Sequence, residues 1–196
     1  SKLSSLSFDL KSFKSWDEIS QLIQNTSESD VRRVLSQNTM LRPEDFAVLI
    51  SPAAQPFLEE MAARSVQLTR KRFGNTIQIY APLYLSNECQ NICTYCGFSL
   101  TNKIPRKTLT DKEILAEVEI LKSRGIDHVL LVTGEANKTV GVDYIGKAIE
   151  LIQPYFTNIS IEVQPLEEEE YKFLIDKGLY SVLVYQETYH KENYKK

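Results

Sequence analysis

Three thiols fall within one short run. In "CQNICTYCGFS", residues 89 to 99, Cys89, Cys93 and Cys96 are the chain's only cysteines, spaced C-x3-C-x2-C. Thiolates are soft ligands, and three chemistries compete for them. Structural zinc takes three thiolates but wants a fourth ligand and a closed site. The chain's two histidines are His128 and His190; His190 follows the last expected strand, on the same side as the cysteines, so a Cys3His site stays open. Cys93 and Cys96 form a C-x-x-C pair of the redox type, which leaves Cys89 without a role. An iron–sulfur cluster uses all three. A [4Fe–4S] cube held by only three cysteines keeps one iron without a protein ligand, which is useful only if a small molecule binds there.

The elements that must position this run change character along the chain. Up to residue 75 the pattern is helical. Ser15 is an N-cap for "WDEISQLIQN", and "SESDVRRVLSQ" and "RPEDFAVLI" follow. In "SPAAQPFLEEMAARSVQLTRKRFG", Ser51 is the expected N-cap, Pro52 the first helical residue and Gly74 the stop, with Pro56 harmless in the first turn and Phe57, Met61, Ser65 and Leu68 on one stripe. From residue 76 strands and helices alternate. Strands are expected at about 76–86, 128–133, 158–164 and 181–187. Between them run "TDKEILAEVEILKSRG", with a Thr110–Glu113 capping box, then "DYIGKAIELIQPYF", then "EEEEYKFLIDKG". Crossovers of that length give parallel pairing with helices outside.

Strand alternation separates two α/β architectures. Ile159, Ile161 and Val163 share one face of their strand, and Ser160, Glu162 and Gln164 the other. Ile77, Ile79, Ala81, Leu83 and Leu85 likewise oppose Gln78, Tyr80, Tyr84 and Ser86. A doubly wound sheet wants both faces apolar, whereas a barrel wall has an apolar outer face and an inner face that turns polar near the mouth. The expectation is therefore the N-terminal portion of a TIM-type (βα) barrel, residues 76–196, preceded by a helical extension, residues 1–75. Barrel chemistry sits at the C-terminal ends of the strands, and Cys89 comes three residues after Ser86.

Composition narrows the partners. With 42% hydrophobic and 25% charged residues the chain is ordinary for a globular protein. A net charge of −3 argues against nucleic-acid binding, and "RKR" at Arg70 to Arg72 reads as a solvated helix end. No run approaches the roughly 18 apolar residues of a membrane span, and no signal peptide is visible. Clustered, odd-numbered cysteines suit a reducing cytoplasm better than a disulfide framework.

Cys89, Cys93 and Cys96, with aromatic Tyr95 before the last, resemble the C-x3-C-x-aromatic-C signature of the radical S-adenosylmethionine (SAM) superfamily. The resemblance implies a [4Fe–4S] cluster on those cysteines, SAM on the open iron, and a full or partial (βα) barrel. "LVTGE" resembles the superfamily's glycine-rich element after the second strand, with Thr133 replacing the first glycine. This assigns Gly134 and Glu135, with Thr133, to SAM binding.

Within the superfamily, "LSPAA", "RFGNT", "PLYLSN", "CTYCGFS", "RKTL", "LLVTGE", "EVQPL" and "VYQETYH" resemble the 2-iminoacetate synthase family of thiamine thiazole biosynthesis. The resemblance implies cleavage of the Cα–Cβ bond of L-tyrosine to 2-iminoacetate (dehydroglycine) and 4-methylphenol, with SAM consumed to methionine and 5′-deoxyadenosine. It further implies a flavodoxin or ferredoxin electron donor and possible association with thiazole synthase. Tyr95, Glu162 and Gln164 are candidate cofactor contacts, and Gln186, Glu187 and Tyr189 candidate substrate contacts. Arg106 and Lys107 either meet a carboxylate or are a solvated approach to the next helix. Members of that family are longer, so the chain is expected to be the first half of the barrel. The tyrosine lyase of [FeFe]-hydrogenase maturation shares the same features, and a non-catalytic metal-binding half barrel is the alternative of another class.

Overall fold

The computed structural model describes residues 14–188 and 190–194. The chain divides into two compact units, Ser1–Thr76 and Ile77–Lys196.

The first unit is helical: α1 (Trp16–Gln24), α2 (Glu28–Leu35), α3 (Pro43–Leu49) and α4 (Leu58–Phe73). Ser15 and Ser27 close capping boxes with Glu18 and Asp30, each satisfying N–H groups that a helix start leaves unpaired. Val31, Val34, Val48, Ala54 and Phe57 form a small core. Arg64 donates to the carbonyls of Leu35 at 2.8 Å and Gln37 at 2.6 Å, capping the end of α2. Around Pro56 the structure departs from expectation. Residues Pro52–Phe57 form a 3-10 helix, and the α-helix starts only at Leu58. Proline lacks the N–H that an α-helical turn would use there. Phe57 is buried, but Ser65 and Leu68 of the expected stripe are exposed.

The second unit is a four-stranded, fully parallel sheet of β1 (Tyr80–Ser86), β2 (His128–Thr133), β3 (Asn158–Glu162) and β4 (Leu179–Val182), in the order β1-β2-β3-β4. The crossovers are α5 (Asp111–Ser123), α6 (Val142–Ile152) and α7 (Glu168–Asp176); a short α8 (Lys191–Tyr194) follows β4. A sheet whose order never reverses is wound in one sense, as in a barrel wall, and not doubly wound.

One face of the sheet carries the core. Leu83, Leu85, Val129, Leu131, Ile159, Ile161 and Leu179 pack on Ile114 and Val118 of α5, Ile145, Ile149 and Ile152 of α6, and Leu174 of α7. Tyr80 and Tyr84 of the opposite face are exposed, and Ser160 and Ser181 pair their hydroxyls there at 2.7 Å. The expected split into an apolar outer face and a more polar inner face is present.

β1 is shorter than the alternating pattern suggests. Ile77 and Ile79 are exposed and lie before the strand. Tyr80 already pairs with His128, the first residue of β2, so earlier residues have no ladder to join. β3 stops at Glu162, and β4 begins and ends earlier than expected. The helix-stopping glycines Gly74, Gly125 and Gly178 have positive φ. Thr110 and Glu113 form their capping box at the start of α5. Among the described residues no helix is long and apolar enough to cross a membrane.

Candidate functional site

Because all four strands are parallel, their C-terminal ends lie on one rim, and each expected site residue follows one of them. The rim begins with an irregularity. Between Tyr84 and Ser86 the register of β1 against β2 shifts, as at a β-bulge, which re-aims the chain where pairing ends. Ser86 is buried. Its hydroxyl meets that of Thr108 at 2.8 Å and accepts from the N–H of Glu88 at 3.1 Å. Asn87 then fastens the outgoing chain to the incoming one: its Oδ1 accepts from the N–H of Lys107 at 2.6 Å and its Nδ2 donates to the carbonyl of Pro105 at 2.9 Å.

The loop that leaves this anchor carries Cys89, Cys93 and Cys96, all as free thiols, Cys93 exposed and the other two partly buried. Desolvation, then the negative charge of Cys96, Cys89 and Glu135, raises the Cys93 thiol above its ordinary pKa. Among the described residues no three His, Cys, Asp or Glu side chains converge as ligands of one ion. Three soft thiolate donors on one irregular loop are the donor set taken by a cube that binds one thiolate at each of three corners.

The turn after β2 is pressed against this loop. A Cβ on Gly134 would lie 2.3 Å from the carbonyl oxygen of Glu88 and 3.0 Å from the Cβ of Cys89. No side chain larger than hydrogen fits. The N–H of Gly134 donates to the carbonyl of Ser86 at 3.2 Å. Glu135 is bound twice: its carbonyl accepts from the N–H of Gln90 at 2.8 Å, and Oε2 accepts from Nδ2 of Asn91 at 2.7 Å. The cysteine motif and the "TGE" turn are therefore one structural unit. Thr133 differs. It is buried and in step with Val129 and Leu131, on the helix side, and its hydroxyl has no hydrogen-bond partner among the described residues.

On the inner face Phe98 of the loop meets Tyr84 of β1 edge to face, with centroids 6.1 Å apart. The Glu187 carboxylate, as hydrogen-bond partner, holds the Tyr95 hydroxyl well above the usual phenol pKa, with burial and nearby negative charge adding to the shift. Two sequence-singled residues are thus brought together, one from the cysteine loop and one from beyond β4.

The remaining candidates are dispersed. Glu162 ends β3 half-buried. Gln164 is 4% exposed; Nε2 donates to the carbonyl of Val140 at 3.2 Å, and Oε1 has no partner among the described residues. It lines a cleft of about 370 Å³ shared with Lys138, Asp143, Tyr144 and Glu170, between the starts of α6 and α7. Gln186 is exposed and donates to the carbonyl of Thr188 at 2.9 Å. Tyr189 lies outside the described residues. His128 stands at the far end of the sheet and His190 is exposed beyond β4.

Sequence reasoning missed Asn91 and the role of Arg106. Asn91 was silent, although Asn side chains commonly bond nearby backbone and polar groups in loops. For Arg106 the sequence leaves two readings, a carboxylate partner or a solvated approach to the next helix. Instead Nη1 donates to the carbonyls of Asn87 at 2.6 Å and Phe98 at 2.8 Å, and Nη2 to those of Ser99 at 2.8 Å and Asn102 at 3.3 Å. Lys107 pairs with Glu113.

The family model described as the radical SAM superfamily matches residues 83–196. The 2-iminoacetate synthase of Escherichia coli is 47% identical over 179 residues, covering 91% of this chain and 47% of that protein. The Salmonella typhimurium protein of the same name is 46% identical over the same shares. The chain thus spans about half the length of the curated relatives it matches. Among solved structures, HydG, described as a maturase of the [FeFe]-hydrogenase, superposes with a TM-score of 0.84 at 30% identity, over 92% of this chain and 43% of that one. The methylornithine synthase PylB shares the fold, with a TM-score of 0.61 at 23% identity over 90% of this chain and 49% of its own.

Proposed function

Since the chain belongs to the radical SAM superfamily, whose enzymes use a [4Fe–4S] cluster and S-adenosylmethionine, we propose that it supplies the cluster-bearing part of a lyase that cleaves the Cα–Cβ bond of L-tyrosine to 2-iminoacetate and 4-methylphenol, for thiazole formation in thiamine biosynthesis. One observation carries this reading: three free thiols on the loop after β1, locked to the Gly134–Glu135 turn at the mouth of a one-sense parallel sheet. The 47% identity to the 2-iminoacetate synthase of Escherichia coli supports the particular reaction.

Bound together, cluster and SAM supply a 5′-deoxyadenosyl radical that takes a hydrogen atom from substrate. In this reading Cys89, Cys93 and Cys96 are the protein ligands. Glu135 has one carboxylate oxygen on Asn91 and retains lone pairs to accept from an ammonium group such as that of SAM. Gly134 brings the turn close enough to do so. Tyr95, whose hydroxyl pairs with the Glu187 carboxylate, presents a neutral ring beside the cluster loop. Tyr84 and Phe98 furnish an aromatic wall on the inner face. Such a wall suits an apolar ring and keeps water from a reactive intermediate. Glu162, Gln186 and Glu187 lie on the same rim and are assigned to substrate or cofactor contact; Tyr189 joins them by sequence position. The electron donor in this reading is a flavodoxin or ferredoxin, with thiazole synthase receiving the imine, in a reducing cytoplasm.

The second reading is the tyrosine lyase of [FeFe]-hydrogenase maturation, favoured by the 0.84 TM-score to HydG. Lower identity, 30% against 47%, ranks it second. Anaerobic reconstitution with iron and sulfide tests the site. A [4Fe–4S] absorption spectrum that changes on adding SAM is expected, and one stoichiometric zinc in its place overturns the reading. Incubation of the whole polypeptide with tyrosine, SAM and dithionite tests the reaction. 4-Methylphenol equimolar with 2-iminoacetate (scored as glyoxylate) is expected, and 5′-deoxyadenosine without either overturns the choice of substrate.

A further inference from the structure

We propose that Arg106 is the positioning residue of the cysteine loop, setting the spacing of the three thiolates and, through Phe98, the electronic environment of Cys96; the proposal rests on the reading of that loop as a cluster site. Residues 87–102 contain no helix or strand. Inside the segment only a few backbone pairs form, among them Leu100 to Asn91 at 2.8 Å and Ser99 to Cys96 at 3.1 Å. Such a stretch has many carbonyls to satisfy and no ladder to satisfy them.

Arg106 does so from one point. Its four Nη hydrogens go to four carbonyls: Asn87 and Phe98 from Nη1, Ser99 and Asn102 from Nη2. Asn87 precedes Cys89 by two residues and Phe98 follows Cys96 by two, so one planar group grips both ends of the segment that holds every thiol. Asn102 reinforces the second grip, donating to the carbonyls of Cys96 and Gly97, each at 3.1 Å. With its Nη hydrogens committed, Arg106 cannot offer the two-pronged grip on a substrate carboxylate that its sequence position suggested. The rigid guanidinium fork is pre-organised for several simultaneous bonds, and a lysine ammonium is not.

The grip also reaches a sulfur. The N–H of Phe98, whose carbonyl Arg106 holds, donates to Sγ of Cys96 at 3.4 Å. Hydrogen bonds to cluster sulfurs stabilise the reduced, more negative state and so raise the reduction potential. Arg106 thereby acts on the cluster through Phe98 without touching it.

The test reconstitutes wild type, Arg106→Ala and Arg106→Lys anaerobically in the whole polypeptide. Readouts are iron and sulfide per chain, iron retention against a chelator, the EPR spectrum and midpoint potential of the reduced cluster, and thermal unfolding. Both variants are expected to lose iron to chelator about tenfold more readily than wild type, in line with losses of partners that orient metal ligands. Their midpoint potentials shift to more negative values, and added methylguanidinium partly restores Arg106→Ala. Wild-type retention, spectrum and potential in Arg106→Ala overturn the proposal, as does lowered thermal stability with an unchanged cluster. If Arg106→Ala fails to fold, Arg106→Lys decides: a cluster like that of wild type overturns the proposal. A wild type that forms no SAM-responsive cluster overturns the reading of the site and this proposal with it, and is told apart because it appears before any substitution.

Discussion

Nδ2 of Asn91 donates to Oε2 of Glu135 across 2.7 Å, joining the middle of the cysteine loop to the turn that leaves β2. A second bond, from the N–H of Gln90 to the carbonyl of Glu135, runs beside it. Both groups are half-buried, so the bond is neither fully screened nor costly to solvate. Glu135 and Arg106 hold the loop at separate points.

A double-mutant cycle on Asn91→Ala and Glu135→Gln should therefore show coupling. A hydrogen bond to a charged group contributes about 1.5–3 kcal/mol, and neighbouring residues couple by roughly 0.5–3 kcal/mol. Chemical denaturation of the four proteins measures it. Additive effects would mean that the pair is formed only nominally.

Gly134→Ala should be poorly tolerated. Its Cβ meets a backbone oxygen at 2.3 Å, and backbone cannot swing aside as a flexible side chain does. The expected loss is about 1–3 kcal/mol, typical of overpacking, with reduced cluster loading after reconstitution. Stability and loading equal to those of wild type would show that the loop relaxes away from β2 freely.

Replacing any one of Cys89, Cys93 or Cys96 by Ala should abolish 5′-deoxyadenosine formation if, as proposed, each thiolate holds a different corner of the cluster. Chromatographic assay of the whole polypeptide with SAM and reductant gives the answer. Retained SAM cleavage in Cys89→Ala would reassign the ligand set.

Acid should weaken the start of α5 in a defined window. Hydrogen bonding to Lys107, then to the backbone and hydroxyl of Thr110, lowers the pKa of Glu113 from 4.5 to about 2. A depressed carboxylate stabilises the fold fully above its unfolded pKa and loses that contribution as pH falls toward its folded one. Wild type should therefore exceed Glu113→Gln in stability at neutral pH, with the gap closing between about 4.5 and 2. Denaturation midpoints across that range measure it, and a gap independent of pH would place the effect elsewhere.

The barrel-wall pattern was legible because it is local. Ile159 and Ile161 are buried and Ser160 and Glu162 less so, as alternation requires. The Thr110–Glu113 capping box was legible too, being written in residues three apart, as was Ser15 at the start of α1. The start of β1 was not: Ile77 and Ile79 continue the alternation, but the partner strand begins only opposite Tyr80. The role of Arg106 was hidden for a different reason. Its partners are four backbone carbonyls, which every residue type carries, so nothing in the sequence marks them. Gln164 read as a rim residue by period, yet it is buried against the carbonyl of Val140.

The sequential strand order fixes a length. Neighbouring strands stand about 4.8 Å apart, so the exits of β1 and β4, three steps along the rim, are separated by about 14 Å measured along the sheet. The loop that starts at the first exit nevertheless places Tyr95 at Glu187, beyond the fourth. Phe98 of the same loop packs on Tyr84 of β1, so the cysteine segment ties the first strand to the chain that leaves the last.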